Sequence, residues 1–362
     1  MKIKTEILQE MVAKAIQGSS NNKLIPITSL IGIELKENIL TLMTTDGSNQ
    51  LRVIQNLENE IQDVCQEFYT IVNAETFAKL VGKTTKEYIE LSNNENYLEV
   101  KGNGTYKLEI PVNEDGEMIR FPKGEQIEDT NAQQISIEKL KNILTSAKVS
   151  VAKTMEVPCL TGYYLSDKVV FATDRQVVCA FRDTLFDTPL LISDEMAELL
   201  QLLDGDYVTL YKQDNKLRFE TNNVVISGKE LEGKEIYPVQ ALENLISLEY
   251  GNTIKINKND LIDVLDRMAL FVNDNYDKNG VRLAFTKEAL LIKSQKSNAQ
   301  ELIDAEATSD EEFNCLIDIT MLQAQIKTIS TDTITICYGQ DKSIKIIDGL
   351  ATIIISLLDE NN

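Results

Sequence analysis

Three stretches of the chain share one pattern: EYIELSNNENYLEV from Glu87, DYVTLYKQDNKLRF from Asp206 and DTITICYGQDKSIKI from Asp332. Each opens on an acid, alternates apolar with polar residues, turns on polar residues and alternates again. Such period-2 alternation predicts hairpins with one face buried and the other in water. Ile89, Val208 and Ile334 are equivalent, 119 and 126 residues apart. A repeat of that length is far above the 20–50 residues of solenoid units, so each copy has the size of a whole domain.

The repeat extends upstream. YTIVNAETFAKLVGK, PLLISDEMAELLQLL and NCLIDITMLQAQIKTI each read as a short strand, an N-cap residue and a helix. The caps, Asn73, Ser193 and Asp318, stand 120 and 125 residues apart. All three are residue types whose side chains accept a bond from the first unpaired N–H groups of a helix. Further upstream, TEILQEMVAKAI, SIEKLKNILTSAKV and NDLIDVLDRMALFV are amphipathic helices. Leu140, Ile143, Leu144, Ala147 and Val151 form one apolar stripe, and Leu261, Val264, Leu265, Met268 and Val272 another. Each helix leads to a strand pair: LIGIELKENILTLMTTD, LTGYYLSDKVVFATD and NGVRLAFTKEALLIKS. The expected fold is therefore α+β, in three tandem copies spanning 1–128, 129–251 and 252–362. Joints are expected near Glu125–Ala132 and Glu249–Thr253, and the two halves within each copy echo each other.

Composition narrows the function. The chain has no histidine, which removes histidine-based nucleophile systems and histidine metal sites. Cys65, Cys159, Cys179, Cys315 and Cys337 are odd in number and scattered, as expected of reduced core thiols. The start, MKIKTEILQE, has no apolar signal region, so a cytoplasmic protein without a membrane partner is expected. The longest apolar run, Ile346–Leu358, is interrupted by Asp348 and Gly349 and is expected to be a buried strand. The net charge of −21 repels polyanions at long range.

Two local motifs mislead. Gly82-Lys83-Thr84 has the end of a P-loop, but Phe77 stands where its first glycine is needed. Asn275-Tyr276-Asp277-Lys278-Asn279-Gly280 has the outline of a calcium loop, but Thr286 occupies the position of its bidentate glutamate. No metal or other cofactor is expected, and no convergent carboxylate pair suggests hydrolysis.

Taken in order, several stretches resemble one family, the bacterial DNA polymerase III β subunit or sliding clamp. LIPITSLIGIELKENILTLMTTD is similar to its opening strands. GYYLSDKVVFATDRQVVCAF resembles its A-T-D stretch, LLQLLDGDYVTLY and ELEGKEIYP its L-x-x-L-L-D-G and D-G-x-F-P, and VNDNYDKNGVRLAF its S-N-E-x-x-x-G-V-R-L. The chain departs from the family at Pro158-Cys159, at Arg175-Gln176-Val177, in the lysine-free helix DEMAELLQLL and in its end, ISLLDENN. These departures make it a divergent member.

The resemblance implies a non-enzymatic processivity factor. Two chains would close head to tail into a homodimeric ring around duplex DNA, with helices lining the hole and antiparallel sheets outside. Retention by topology would reconcile the acidic charge with a DNA role. The implied DNA-facing cations are Lys14, Lys23, Lys79, Lys83, Lys139, Lys141, Lys148, Lys153, Lys258, Arg267 and Lys327; the competing reading is ordinary solvated helix faces. A hydrophobic cleft would receive short linear peptides from a replicative DNA polymerase, a clamp loader and repair proteins. Its implied residues are Leu160, Thr173, Arg175, Val177, Ile354, Ile355, Leu357 and Leu358, with Leu357 and Leu358 beside a floor of Leu160 and Val177. The implied dimer interface sets Tyr106 and Leu108 against Leu270 and Phe271, for which core packing is the competing explanation. Two other functions are open: a three-domain α+β interaction scaffold without a DNA role, and a carboxylate–metal enzyme. Mass in solution separates scaffold from clamp.

Overall fold

A computed structural model describes residues 1–58, 67–122, 127–128, 132–182, 185–272, 279–295, 297–309 and 311–359. Cys65 and the calcium-like residues 275–278 lie outside the described residues.

In the first repeat, β1 (Lys2–Lys4) feeds α1 (Thr5–Ala15) and a meander of β2 (Leu30–Lys36), β3 (Ile39–Thr45) and β4 (Gln50–Asn56). The same order returns in β5 (Phe68–Asn73), α2 (Ala74–Gly82), β6 (Tyr88–Asn93), β7 (Tyr97–Lys101) and β8 (Thr105–Glu109). The second repeat has β9 (Gln133–Ser136), α3 (Ile137–Ala147), β10 (Gly162–Leu165), β11 (Val170–Thr173) and β12 (Val177–Phe181). It continues with β13 (Leu190–Ser193), α4 (Asp194–Leu200), β14 (Tyr207–Gln213), β15 (Lys216–Glu220) and β16 (Val224–Lys229), and adds α5 (Val239–Ile246). The third has β17 (Asn252–Asn257), α6 (Lys258–Met268), β18 (Gly280–Phe285), β19 (Ala289–Ser294), β20 (Gln300–Asp304) and the short β21 (Glu306–Ala307). It ends with β22 (Phe313–Asp318), α7 (Ile319–Thr328), β23 (Thr333–Tyr338), β24 (Ser343–Asp348) and β25 (Ala351–Ser356). Each repeat is thus two β-α-β-β-β modules, and every hairpin expected from alternation carries a third strand.

The repeat holds at the level of single hydrogen bonds. Ile89, Val208 and Ile334 are each the second residue of their strand and fully buried. They face Ile3, Ile135 and Ile256 across antiparallel pairs. One residue past each of those strands, the N–H of Thr5, Ile137 and Lys258 donates to the carbonyl of Glu87, Asp206 and Asp332 at 2.9, 3.0 and 2.8 Å. Asn73, Ser193 and Asp318 likewise end their strands opposite Leu30, Gly162 and Gly280. Asn73 Oδ1 caps α2 by accepting from the N–H of Thr76, and Asp318 Oδ1 caps α7 by accepting from Thr320 and Met321. The predicted helical stripes are buried except for Val272, which is half-buried.

The chain folds into two compact units, residues 1–138 with 195–230 and residues 139–194 with 231–362. The first unit holds an eight-stranded sheet, β5-β2-β3-β4-β16-β15-β14-β9, and a four-stranded sheet, β1-β6-β7-β8. The second holds a nine-stranded sheet, β13-β10-β11-β12-β25-β24-β23-β17-β21, and a four-stranded sheet, β20-β19-β18-β22. In each long sheet, strands of two successive repeats meet edge to edge. β4 pairs with β16 from Val53↔Val224 to Gln50↔Ser227, and β12 pairs with β25 from Val177↔Ile355 to Phe181↔Ala351. The second repeat shares its strands between the two units.

Two local expectations change. The apolar run Ile346–Leu358 is not one strand: Asp348 pairs with Ala351, and Gly349, at φ +56°, opens a two-residue turn between β24 and β25. Gly82-Lys83-Thr84 is the end of a helix, not a loop that opens one. Lys83 follows the last turn of α2, and the Thr84 hydroxyl donates to the Leu80 carbonyl at 3.0 Å.

Candidate functional site

In the second unit, β10–β12, β25 and α5 enclose an apolar cluster. Its buried members include Cys159, Leu160, Phe171, Val178, Tyr237, Leu242, Ile246 and Ile354, with half-buried Val157, Tyr164, Leu231 and Val239 packed against them. The Tyr164 and Tyr237 rings stack at 5.2 Å and 18°. Burial pushes the Tyr237 phenol well above its ordinary range, and its hydroxyl donates to the Phe171 carbonyl at 3.3 Å. Beside the cluster lies a hollow of about 360 Å³ walled by Lys168, Val169, Arg182, Glu243 and Ile246.

The structure unites Leu160 and Ile354 in this cluster. It does not bring Val177 or Ile355 to it. The β12–β25 register sets Val177 opposite Ile355 and Val178 opposite Ile354. Successive residues of a strand face opposite sides, so Val178, not Val177, shares the face of Ile354. Thr173 is buried, and its hydroxyl donates to the Val177 carbonyl at 2.6 Å. Arg175 is exposed at φ +79°, on a turn where Asp174 Oδ1 accepts from the N–H of Gln176 and Val177. Leu357 and Leu358 are half-buried past the end of β25, their N–H groups held by the carbonyls of Lys342 and Leu316 at 2.8 Å. The α5 contribution was missed from sequence. Its signal was Val239, Leu242 and Ile246 just after Pro238, an i, i+3, i+7 spacing over about two helical turns.

The candidate cations divide by what holds them. Lys14 is paired with Asp204, and Lys79 with Glu75 one turn away on α2. Lys258 Nζ donates to the Ile329 carbonyl at the end of α7. Lys327 Nζ lies 3.1 Å from Asp266 Oδ1, which also accepts from Gln323 Nε2. Arg267 forks onto Glu301 of β20, with Nε–Oε1 at 2.9 Å and Nη2–Oε2 at 2.7 Å. These bonds hold the Glu301 carboxyl below the usual carboxylate range. Arg267 therefore braces α6 against β20. Lys139, Lys141 and Lys148 lie on or just after α3. Lys23, Lys83 and Lys153 are exposed. Exposed pairs of this kind are screened by water and add little to stability, so they do not decide the fold.

The four residues expected at an interface are not core. Leu270 is 80% exposed, Phe271 51% and Tyr106 41%, while Leu108 is half-buried. Tyr106 and Leu108 lie on β8, which pairs only with β7 among the described residues. At the other end of the chain β20 pairs only with β19 and exposes Leu302 by 62%. Leu302 was not among the residues expected at an interface. Among the described residues no helix is long and apolar enough to cross a membrane.

Comparison with known proteins agrees with this architecture. Residues 1–120 match the family model of the DNA polymerase III beta subunit, N-terminal domain. The beta sliding clamp of Bacillus subtilis is 23% identical over 320 residues, covering 84% of this chain and 82% of that protein. That of Staphylococcus epidermidis is 20% identical over 356 residues, covering 92% and 91%. In fold, the chain is similar to the DNA polymerase sliding clamp of Bacillus subtilis, with a TM-score of 0.86 at 20% identity over 99% of this chain and 98% of that one. It is also similar to the DNA polymerase III subunit beta of Pseudomonas aeruginosa, with a TM-score of 0.83 at 16% identity over 99% of each. Over 99% of its length the chain has the fold of the bacterial β sliding clamps, and its residues 1–120 are similar to the N-terminal domain of the DNA polymerase III β subunit family.

Proposed function

We propose that the protein is a DNA polymerase processivity factor without catalytic activity of its own. Two chains join head to tail, encircle duplex DNA without reading its sequence, and tether a replicative polymerase, a clamp loader and repair proteins. The working parts are three clamp domains, 1–128, 129–251 and 252–362.

One observation carries this reading. The third strand of a repeat's first module pairs with the third strand of the next repeat's second module, as β4 with β16 and β12 with β25. The same rule applied to the last repeat calls for β20 to pair with a β8; among the described residues β20 and β8 of this chain do not pair with each other and each keeps one open edge, so a second copy would supply both joins. An open edge of this kind invites another strand. Exposed Leu270, Phe271, Leu302 and Tyr106 supply the apolar contact such an edge needs. Closure by β20 against the β8 of a second copy, in both directions, is a cyclic twofold ring.

The peptide site lies at the cluster of Leu160, Val178, Leu242, Ile246 and Ile354, with Tyr164, Leu231 and Val239 at its rim. Apolar anchors seated there supply the affinity. Thr173 and Arg175 fix the turn at one side. Leu357 and Leu358 follow at that same side, where the Ser356 N–H donates to the Gln176 carbonyl of the turn at 2.8 Å.

Loading onto a nicked circle tests the function. The protein stays bound to the circle and is lost once the circle is cut. Equal retention on circular and linear DNA rules out topological linkage.

A further inference from the structure

Lys14 and Lys327 stand on helices expected to face the duplex, and a carboxylate already holds each of them. Lys14 on α1 meets Asp204, 190 residues away in the loop after α4. Lys327 on α7 meets Asp266 on α6, whose Oδ1 also takes the Gln323 amide. Neither pair is a local helix contact like that of Lys79 with Glu75, four residues apart. Both require distant segments to bring an acid to a cation. Lys327, Asp266 and Asp204 are each about half exposed or more, so the pairs are open to an incoming phosphate, and at that exposure they add little to stability.

Resting on the clamp reading, we propose that Asp204 and Asp266 are built-in counter-anions. They satisfy Lys14 and Lys327 so that a passing duplex gains nothing by binding them, and they set the balance between sliding and sticking. A lysine that neutralises a phosphate releases condensed counterions from DNA, which gives binding its affinity and salt dependence. A lysine held by its own carboxylate gains no such advantage. Phosphate must displace the carboxylate, and the freed acid then faces the polyanion. These two lysines are thus electrostatically silent toward DNA, and the chain's acidity is partly a local device rather than a diffuse surface charge.

The test measures affinity of the full-length protein for a short linear duplex by fluorescence anisotropy across a salt series. Four proteins are compared: the natural chain, Asp204→Asn with Asp266→Asn, Lys14→Ala with Lys327→Ala, and the combination of all four changes. Asparagine keeps the shape and an acceptor for Gln323. A control, Glu90→Gln with Glu288→Gln, makes the same change in net charge at exposed positions on β6 and before β19.

The asparagine variant should bind tighter at low salt, with a log–log salt slope steeper by up to about 1.8, or 0.9 for each freed cation. The alanine variant should match the natural protein, and the combined variant should lose the gain. A slope no steeper for the asparagine variant than for the control overturns the inference, as does a slope reduced by the alanine changes alone. No measurable duplex binding by the asparagine variant at the lowest salt also counts against it. Retention on nicked circles, scored in parallel, separates the two readings. Retention with unchanged slopes sinks this inference alone, and a steepened slope without retention sinks the clamp reading alone.

Discussion

Val177 and Val178 are both buried and adjacent, and no property of either side chain tells which one faces Ile354. The pairing of β12 with β25 decides it, because a shift of one residue turns every side chain to the other face. The resemblance named Leu160 and Ile354, which share one buried cluster, whereas the place of Val178 beside them required the register. Ile354 is 3% exposed, so Ile354→Ala should cost about 2–5 kcal/mol in a urea titration by leaving a cavity. A loss below about 1 kcal/mol would place its side chain outside the packed cluster. The thiols make a second prediction. Cys159, Cys179, Cys315 and Cys337 are all buried. In a Cys65→Ser background, native protein at neutral pH should leave a thiol reagent unreacted, and denatured protein should consume it. Burial also pushes the Cys179 thiol up to about 12 from an ordinary 9.0. The unfolded chain then gives up that proton first, so stability is full below pH about 9 and falls as pH rises toward 12. Urea midpoints at pH 8 and 10.5 should differ in that direction, and a midpoint unchanged at the higher pH would contradict it.

Among the elements, the helices that open a repeat were legible from an apolar stripe, and those that divide it from a cap residue after a short strand. Asn73 and Asp318 make the cap bonds that their chemistry allows. Asn73→Ala and Asp318→Ala should each cost about 1 kcal/mol of stability by chemical denaturation. Values near zero would mean that water serves those N–H groups equally well. The third strands were not legible, for different physical reasons. β8 is mostly exposed, so TYKLE shows no buried face. β12 is buried at every residue, so VVCAF shows no alternation and could equally be read as part of a helix core. β24 and β25 merge into one apolar run because the turn between them is only Gly349 and Leu350. At the start of β10, Gly162 marks a close approach instead: a Cβ there would sit 2.2 Å from the Ile192 carbonyl oxygen, so Gly162→Ala should push β10 away from β13 and destabilise the second unit.

At the scale of the whole molecule, the threefold repeat was plain in the sequence, but the way repeats join was not. A join is made by two strand edges, and an edge carries the same residues whether or not it is paired. The β4–β16 and β12–β25 joins place each repeat's first module against the next repeat's second module. That rule leaves one edge of β8 and one of β20 unpaired among the described residues, and the exposed Leu270 and Phe271 belong to the same repeat as β20. Closure by a second chain is the central claim, and light scattering of the purified protein at micromolar concentration tests it most directly. The account predicts a mass of about twice 40.7 kDa, and a folded monomer after Leu270→Ala with Phe271→Asp. A natural chain that stays at 40.7 kDa while fully folded, or a double variant that remains dimeric, would contradict it.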